Sequence, residues 1–426
     1  MTISEIHSIF LSCDAVATDT RKITSNCFYV ALKGENFDAN SFAKEALQNG
    51  AAYALIDNED YYLDDRTILT EDSLATLQEL AKYHRKFLNL PIIAITGSNG
   101  KTTTKETVAA VLSKKYKIKA TVGNLNNHIG VPLTLLSFNE RTELGIVEMG
   151  ANHQKEIEFL CSLATPDFGY ITNFGLAHLE GFGGYEGVIK GKSEMYTYLS
   201  TSNKMAFVNF DDPIQKDKTS QIQRYSFSEN DHKADLLFSD VQAKPFVQLI
   251  ANGLVIQSQL LGLYNAENIK AAIAIGSYFE VNSRDIKDAV EHYVPTNNRS
   301  QMIAIKEHSV ILDAYNANPS SMATALQNFK QLDGDSKIAI LGDMFELGNE
   351  GEKEHKNIIE SLLSTDIEVY FVGKHFFKER VKNDTFRFYE TFDEFSTALR
   401  HLSIQKSTIL IKGSRGMALE RTLELL

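Results

Sequence analysis

At 426 residues the chain is longer than one hydrophobic core comfortably serves, so two to four domains are expected. Its 43% apolar and 23% charged content is that of a soluble globular protein, and a net charge of -12 argues against broad binding to nucleic acid or an anionic membrane, while leaving loops and helix ends able to capture phosphates. Three widely spaced cysteines, Cys13, Cys27 and Cys161, argue against a disulfide framework; with no basic residue before the first apolar ones and no apolar run near the roughly 18 residues of a membrane span, the expectation is a cytoplasmic protein with no integral membrane association.

Along the chain three regions emerge. Residues 1–88 alternate strand-like pieces (CFYVAL, AAYALID) with helical patterns over 41–49 and 73–87, which predicts a small N-terminal α/β domain. Residues 89–296 open on an apolar, β-branched run at 91–96, then a glycine-containing loop, then Val108, Val111 and Leu112 at helical spacing. GIVEMG, FGYITNFG and MAFVNF follow as buried-strand candidates, so a central parallel sheet wrapped by helices is expected. That region ends in FVQLIANGLVIQSQLLG, a hairpin pattern turning at Asn252-Gly253. Over 297–426 the pattern restarts with SVILDAY, KIAILGD, IEVYFVG and STILIKGS, which predicts a C-terminal Rossmann-like domain. The fold class expected is therefore α/β in three domains.

The loop after the 91–96 run is built for phosphate. A strand feeding a helix N-terminus presents unpaired N–H groups and the positive end of the helix dipole; Gly97 and Gly100 let the main chain come close, Lys101 adds charge, and the Thr102 hydroxyl can reach Mg²⁺. The usual first glycine of a P-loop is replaced by Ile95, leaving the shorter G-x-x-G-K-T. An ordinary glycine-rich turn needs the glycines but not the Gly-Lys-Thr. Polar residues at strand ends are the next candidates, because open α/β sheets bind ligands there: Glu148 closes GIVE, Asn173 closes FGYITN with His178 five residues on, and Asp313 closes SVILD. Glu148 can hold Mg²⁺ through oxygen. His178 is a poor ligand for that ion, and a lone loop histidine is more often structural. Lys192 lies in a helical pattern over 185–198, where a lysine is most often a surface charge.

The motifs together resemble the Mur ligases across essentially the whole chain: TDTR (18–21), TGSNGKTTTKE (96–106), NLNNHIGVPLTLL (124–136), VEMGANHQKEI (147–157), ITNFGLAHLEGFGG (171–184), KGKSEMY (190–196), YNAENIKAA (264–272), DAYNANPSSM (313–322), LGDMFELG (341–348) and KGSRGMALE (412–420). The last three resemble the branch that joins D-alanyl-D-alanine to a UDP-N-acetylmuramoyl-tripeptide. The resemblance implies an ATP-dependent ligase of peptidoglycan precursor synthesis, acting as a monomer: ATP phosphorylates a carboxylate, an amine attacks the acyl phosphate, and an amide forms with release of ADP and phosphate. It implies catalytic roles for Lys101, Glu148, His178 and Lys192, and two Mg²⁺ ions on Thr102, Glu148, His178 and a carbamylated Lys192, which Tyr196 four positions on distinguishes from Lys190. ATP would be bound by Gly97, Ser98, Asn99, Gly100, Lys101, Thr102 and Thr103 with Asn268, Arg299 and Asp313. Asp19, Thr20 and Arg21 would take the uridine diphosphate end, Asn126 and Asn127 the muramoyl part, and Asn318, Lys412, Ser414 and Arg415 the dipeptide. Two positions depart from the family pattern: Asp38-Ala39-Asn40 replaces Asp-Gly-His, and Tyr264 replaces a histidine. A folylpolyglutamate-type ligase would share the loop, Glu148 and Lys192 but not KGSR and NANPSSM together; a P-loop kinase would need no amine, and a nucleotide switch neither Lys192 nor a third domain.

Overall fold

The computed structural model describes residues 1–296, 298–332, 336–402 and 404–426, so residue 297, where the third region is expected to begin, lies outside the described residues. Three sheets organise the chain. A four-stranded parallel sheet runs in the order Ala15–Ala17, Cys27–Val30, Ala51–Ile56, Thr67–Leu69. A nine-stranded sheet follows, and in it the strand Ile92–Thr96 lies between Leu144–Glu148 and Phe168–Ile171, parallel to both. A six-stranded sheet completes the chain, parallel except for its edge strand Gln301–Ile305.

Why Ile92–Thr96 is a strand follows from its two faces. All five residues are buried. Ile92 and Ala94 point into one core and Ile93 and Ile95 into another, as the period of two requires for a strand covered on both sides. The antiparallel addition behaves as its sequence predicts: Phe246–Ala251 and Leu254–Leu261 meet at Asn252 and Gly253, both with positive φ (51° and 74°), the pair a type I′ turn demands.

The first core does not stop at the end of the N-terminal unit. It runs from Ile6 and Phe10 through Leu77 and Leu80 to Val131, Leu160 and Val208, each fully buried leucine contributing roughly 2 kcal/mol. The helix Ser73–Leu88 makes this join. Asp72 caps its start, Asn89 ends it in the left-handed region at φ 48°, and near its end Arg85 donates to the carbonyls of Ala164 and Thr165 and pairs with Asp167 at 2.9 Å.

Several elements differ from expectation. Ile3–Leu11 is a helix, started by a capping box between Thr2 and Glu5 that the sequence carries as T-x-x-E. The expected 41–49 helix is a 3₁₀ turn, Ala39–Phe42, leading into a short helix, Ala43–Gln48. Gln301–Ile305 and Phe386–Tyr389 add strands at the two edges of the last sheet. All three cysteines are free, Cys27 and Cys161 buried and Cys13 partly so. Among the described residues no helix is long and apolar enough to cross a membrane.

Candidate functional site

The phosphate loop is fixed by its glycines and by two neighbours. A Cβ on Gly97 (φ +142°) would lie 2.0 Å from Thr172 Oγ1, and one on Gly100 (φ +80°) 2.4 Å from Asn268 Oδ1, so neither position admits a side chain. Ile95 stays inside the strand, paired in register with Glu148, which is why the loop begins two residues later than in a longer P-loop. The Asn99 main chain is gripped on both sides: its N–H donates to Asn173 Oδ1 (3.1 Å), and its carbonyl accepts from Asn173 Nδ2 (3.0 Å) and Thr172 Oγ1 (2.5 Å). Ser98 donates to the Gly175 carbonyl. Lys101 opens the helix Lys101–Leu112, its ammonium folded back on the carbonyls of Gly97 (2.7 Å) and Ser98 (3.1 Å), and burial pushes its pKa down to about 8.

Glu148, 1% exposed, stands beside this loop. Its Oε1 accepts from Thr102 Oγ1 (3.2 Å) and Asn126 Nδ2 (2.8 Å); its Oε2 is buried with no hydrogen bond, Lys105 Nζ standing 3.9 Å away. An orphaned buried carboxylate oxygen costs about 1–3 kcal/mol, and such an atom beside a threonine hydroxyl is a donor set suited to a hard cation. Among the described residues no group of three or more His, Cys, Asp and Glu side chains forms a metal cluster, so an ion here would complete its shell from hydroxyl, phosphate and water.

Lys192 is not on the surface. It is 1% exposed inside the helix Tyr185–Thr201, donates to the Ala151 carbonyl at 3.1 Å and lies 5.0 Å from the Phe182 ring. Burial, reinforced by the charge of Lys101, holds its amine well below the ordinary lysine range. A neutral amine is the form that can take up CO₂ as a carbamate, so the residue fits that modification. Lys190, by contrast, is exposed. His178, in the left-handed region at φ 54°, lines the same cavity as Glu148 and bonds through Nδ1 to Glu346 of the C-terminal unit, whose carboxyl it lowers.

The opposite wall comes from the carboxyl ends of the last sheet, where Asp313 and Lys412 are register partners. Asp313 is already engaged on both oxygens, by the Ser300 N–H and by Lys412 Nζ at 2.6 Å. Arg299 lies flat on the Tyr315 ring, 3.7 Å from its centroid, with Nε buried and unpaired, an arrangement able to receive an anion. Asn318 caps the helix Pro319–Gln331 and donates to Asn99 Oδ1 at 2.8 Å.

One cavity of about 1340 Å³ collects most of these groups: Ser98 to Thr103, Asn126, Asn127, Glu148, His178, Asn268, Arg299, Asp313, Asn318 and Lys412. Gly97 and Lys192 do not line it. Ser414 is buried, donating to the Ala317 carbonyl and accepting from Phe345 N–H, and Arg415 pairs on the surface with Glu420 at 2.8 Å; neither lines the cavity. Asp19, Thr20 and Arg21 lie elsewhere too, with the Arg21 fork closed on Asp19 at 2.7 Å. Of the two departures, Asn40 is a buried brace between Asp38 and Asp57, and Tyr264 lines the cavity with its hydroxyl on Ser300. Sequence reasoning missed Lys105, buried four residues after Lys101 on the same helix face, a spacing that could have marked it. It also missed Tyr315 and Thr121, whose Oγ1 accepts from the Glu148 N–H; no local signal points to them.

Comparison with known proteins gives the family of the chain. Residues 95–276 match the Mur ligase middle domain, and residues 298–415 match the Mur ligase, glutamate ligase domain. The chain is 36% identical over 423 residues to UDP-N-acetylmuramoyl-tripeptide–D-alanyl-D-alanine ligase of Bacillus subtilis (strain 168), covering 95% of this chain and 91% of that protein. It is 34% identical over 434 residues to the ligase of that name from Escherichia coli (strain K12), covering 99% and 95%. Among solved structures, MurF from Acinetobacter baumannii superposes with a TM-score of 0.87 at 30% identity, covering 99% of this chain and 97% of that one. MurF ligase from Thermotoga maritima in complex with ADP gives 0.84 at 27% identity, covering 98% and 97%.

Proposed function

The chain belongs to the Mur ligase family, and on that premise we propose that it uses ATP to join D-alanyl-D-alanine to the terminal carboxylate of a UDP-N-acetylmuramoyl-tripeptide in peptidoglycan precursor synthesis. The observation that carries this reading is the single cavity in which the phosphate loop, buried Glu148 and the Asn318 helix cap meet. The tripeptide carboxylate attacks the γ-phosphorus, ADP leaves, the amine of the dipeptide attacks the resulting acyl phosphate, and the carbon–oxygen bond breaks to release phosphate and the amide.

That sequence brings anions together and asks the protein for charge and position more than for a nucleophile of its own. Lys101 swings from the loop carbonyls to the phosphates. Arg299, held flat by Tyr315, supplies a second cation, and the loop N–H groups supply the rest. Thr102 and Glu148 would hold one Mg²⁺, and His178 with a carbamylated Lys192 a second; such ions would supply positive charge against the carboxylate and the phosphates. Asn268, packed on Gly100 and accepting from Thr104 Oγ1, steadies the nucleotide side, and Asp313 steadies Arg299's segment through the Ser300 N–H.

In this reading residues 1–88 bind the uridine diphosphate end through Asp19, Thr20 and Arg21, the latter exchanging Asp19 for phosphate. Residues 89–296 bind ATP, with Asn126 and Asn127 facing the muramoyl part. Residues 297–426 receive the dipeptide through Asn318, Lys412, Ser414 and Arg415, of which the last two must be brought to the cavity by movement of their loop. The enzyme works in the cytoplasm as a monomer. The test is a matrix of UDP-muramoyl peptides of different lengths against D-alanyl-D-alanine and single amino acids: phosphate release is expected only with the tripeptide and the dipeptide together. Equal turnover with free D-alanine would contradict the assignment.

A further inference from the structure

Asn99 is counted above with the phosphate loop, yet only its main chain serves that loop. Its N–H and carbonyl are held by Asn173 and Thr172 of its own sheet, while its side chain turns away to the C-terminal unit. There it closes a ring of three hydrogen bonds. Asn99 Nδ2 donates to Ser320 Oγ (3.0 Å), Ser320 Oγ donates to Asn318 Oδ1 (2.9 Å), and Asn318 Nδ2 donates back to Asn99 Oδ1 (2.8 Å). Every bond in the ring has its direction set by the next, the arrangement in which such bonds reinforce one another. The same Asn318 Oδ1 accepts from the Ser321 N–H, so the ring includes the cap that starts the helix Pro319–Gln331. Close approach is built in on the central side, where a Cβ on Gly175 would lie 2.8 Å from Ser320 Oγ and 2.9 Å from Asn99 Nδ2.

We propose that Asn99 is a positioning residue for the amine acceptor: through Asn318 and Ser320 it sets the first turn of that helix against the phosphate loop, so the acceptor is presented in register with the transferred phosphoryl group. The proposal rests on the ligase reading above in taking a short zwitterionic peptide as the acceptor. Nucleotide capture does not pass through this side chain, because the loop's conformation, Lys101 and Thr102 are held by other contacts.

The test is steady-state kinetics on the full chain with Asn99→Ala, Asn99→Asp, Ser320→Ala and the Asn99→Ala/Ser320→Ala pair. Loss of two hydrogen bonds predicts a rise of about tenfold in the KM for D-alanyl-D-alanine in Asn99→Ala, with the KM for ATP moving less than about twofold. Asn99→Asp, which keeps the acceptor for Asn318 Nδ2, is expected to do less harm, and the double variant, which removes three bonds where each single removes two and shares one of them, less than the sum of the two singles. A KM for ATP that rises in parallel, an unchanged KM for the dipeptide, or strictly additive losses would each overturn the role. Failure of the unmodified enzyme to ligate D-alanyl-D-alanine would sink the functional reading instead. The ring is then judged on ligand-free protein by hydrogen exchange at the Ser321 and Met322 amides: about tenfold faster exchange in Asn99→Ala upholds it, and equal exchange overturns it.

Discussion

The N-terminal unit meets the central one across a different kind of seam from the one that joins the central unit to the last. At the first seam a continuous apolar core crosses the boundary, with Arg85 bonded to Ala164, Thr165 and Asp167, and His84 Nε2 on the Phe138 carbonyl. At the second, the C-terminal core takes in Leu261 and the partly buried Phe246, and polar pairs make several of the remaining joins: Asn99 with Asn318 and Ser320, His178 with Glu346, Tyr264 with Ser300. An apolar seam of that extent does not open without exposing core, whereas polar pairs exchange readily with water. The first two units therefore share one core, and the reaction proposed above falls at the more polar of the two seams.

The largest expected effect lies on the central side of that second seam, where two lysines are given different tasks. Lys192→Ala is expected to lower ligation by on the order of 10²–10³-fold or more while leaving ATP affinity largely intact, because in the proposed reaction its carbamate serves acyl-phosphate formation; Lys101→Ala is expected to weaken nucleotide binding itself. Ligation rate and ATP affinity measured separately decide this, with Lys190→Ala as the mild control. Near-normal turnover in Lys192→Ala would remove the carbamate from the account.

Next in size is Lys412→Ala, which strands Asp313 without its buried partner and is expected to cost about 3 kcal/mol in urea unfolding. Arg415→Ala, cutting a pair whose arginine is 60% exposed, is expected to leave the unfolding midpoint nearly unchanged. Arg85→Ala probes the first seam: it removes three hydrogen bonds and leaves Asp167 with Lys204 alone as a cation, for an expected loss of about 2–3 kcal/mol without a change in the KM for the dipeptide. A change in that KM would mean the two seams are coupled.

A smaller loss, dependent on pH, is expected inside the N-terminal unit beside the first seam. His7 Nε2 meets His84 Nδ1 at 3.0 Å inside an aromatic cluster, and burial pushes the His7 pKa down from 6.5 to about 4. The folded state holds this ring neutral while the unfolded chain protonates it, so its contribution is full above pH 6.5 and is lost as pH falls toward 4, by about 2 kcal/mol. Unfolding midpoints at pH 7 and pH 4.5 should converge in His7→Phe relative to the unmodified chain; an equal acid loss in both would place the titration elsewhere.

The α/β class, the three-domain layout and the glycine loop between a buried strand and a helix were legible because they are written locally, in runs and spacings a few residues long. Gly97, Gly100, Lys101 and Thr102 sit side by side, and Glu148 announces itself as the last residue of a buried strand. What was not legible depends on partners far along the chain. Asn99 reads as one more loop residue until Asn318, 219 positions away, is beside it. Helical periodicity around Lys192 says nothing of Phe182 and Ala151 enclosing it, and only the family resemblance singles it out. Asp19 and Arg21 were singled out by the family resemblance alone, and their contact with each other became visible only in the structure.

The central claim is that phosphate passes through the substrate's carboxylate at this seam, and an isotope measures that directly. With the tripeptide carboxylate labelled in both oxygens with ¹⁸O, ATP and D-alanyl-D-alanine are added and the released phosphate is analysed by mass. Attack of the carboxylate on the γ-phosphorus followed by amine attack at carbon carries one labelled oxygen into each phosphate formed. Phosphate released without label, at a rate matching amide formation, would contradict the account.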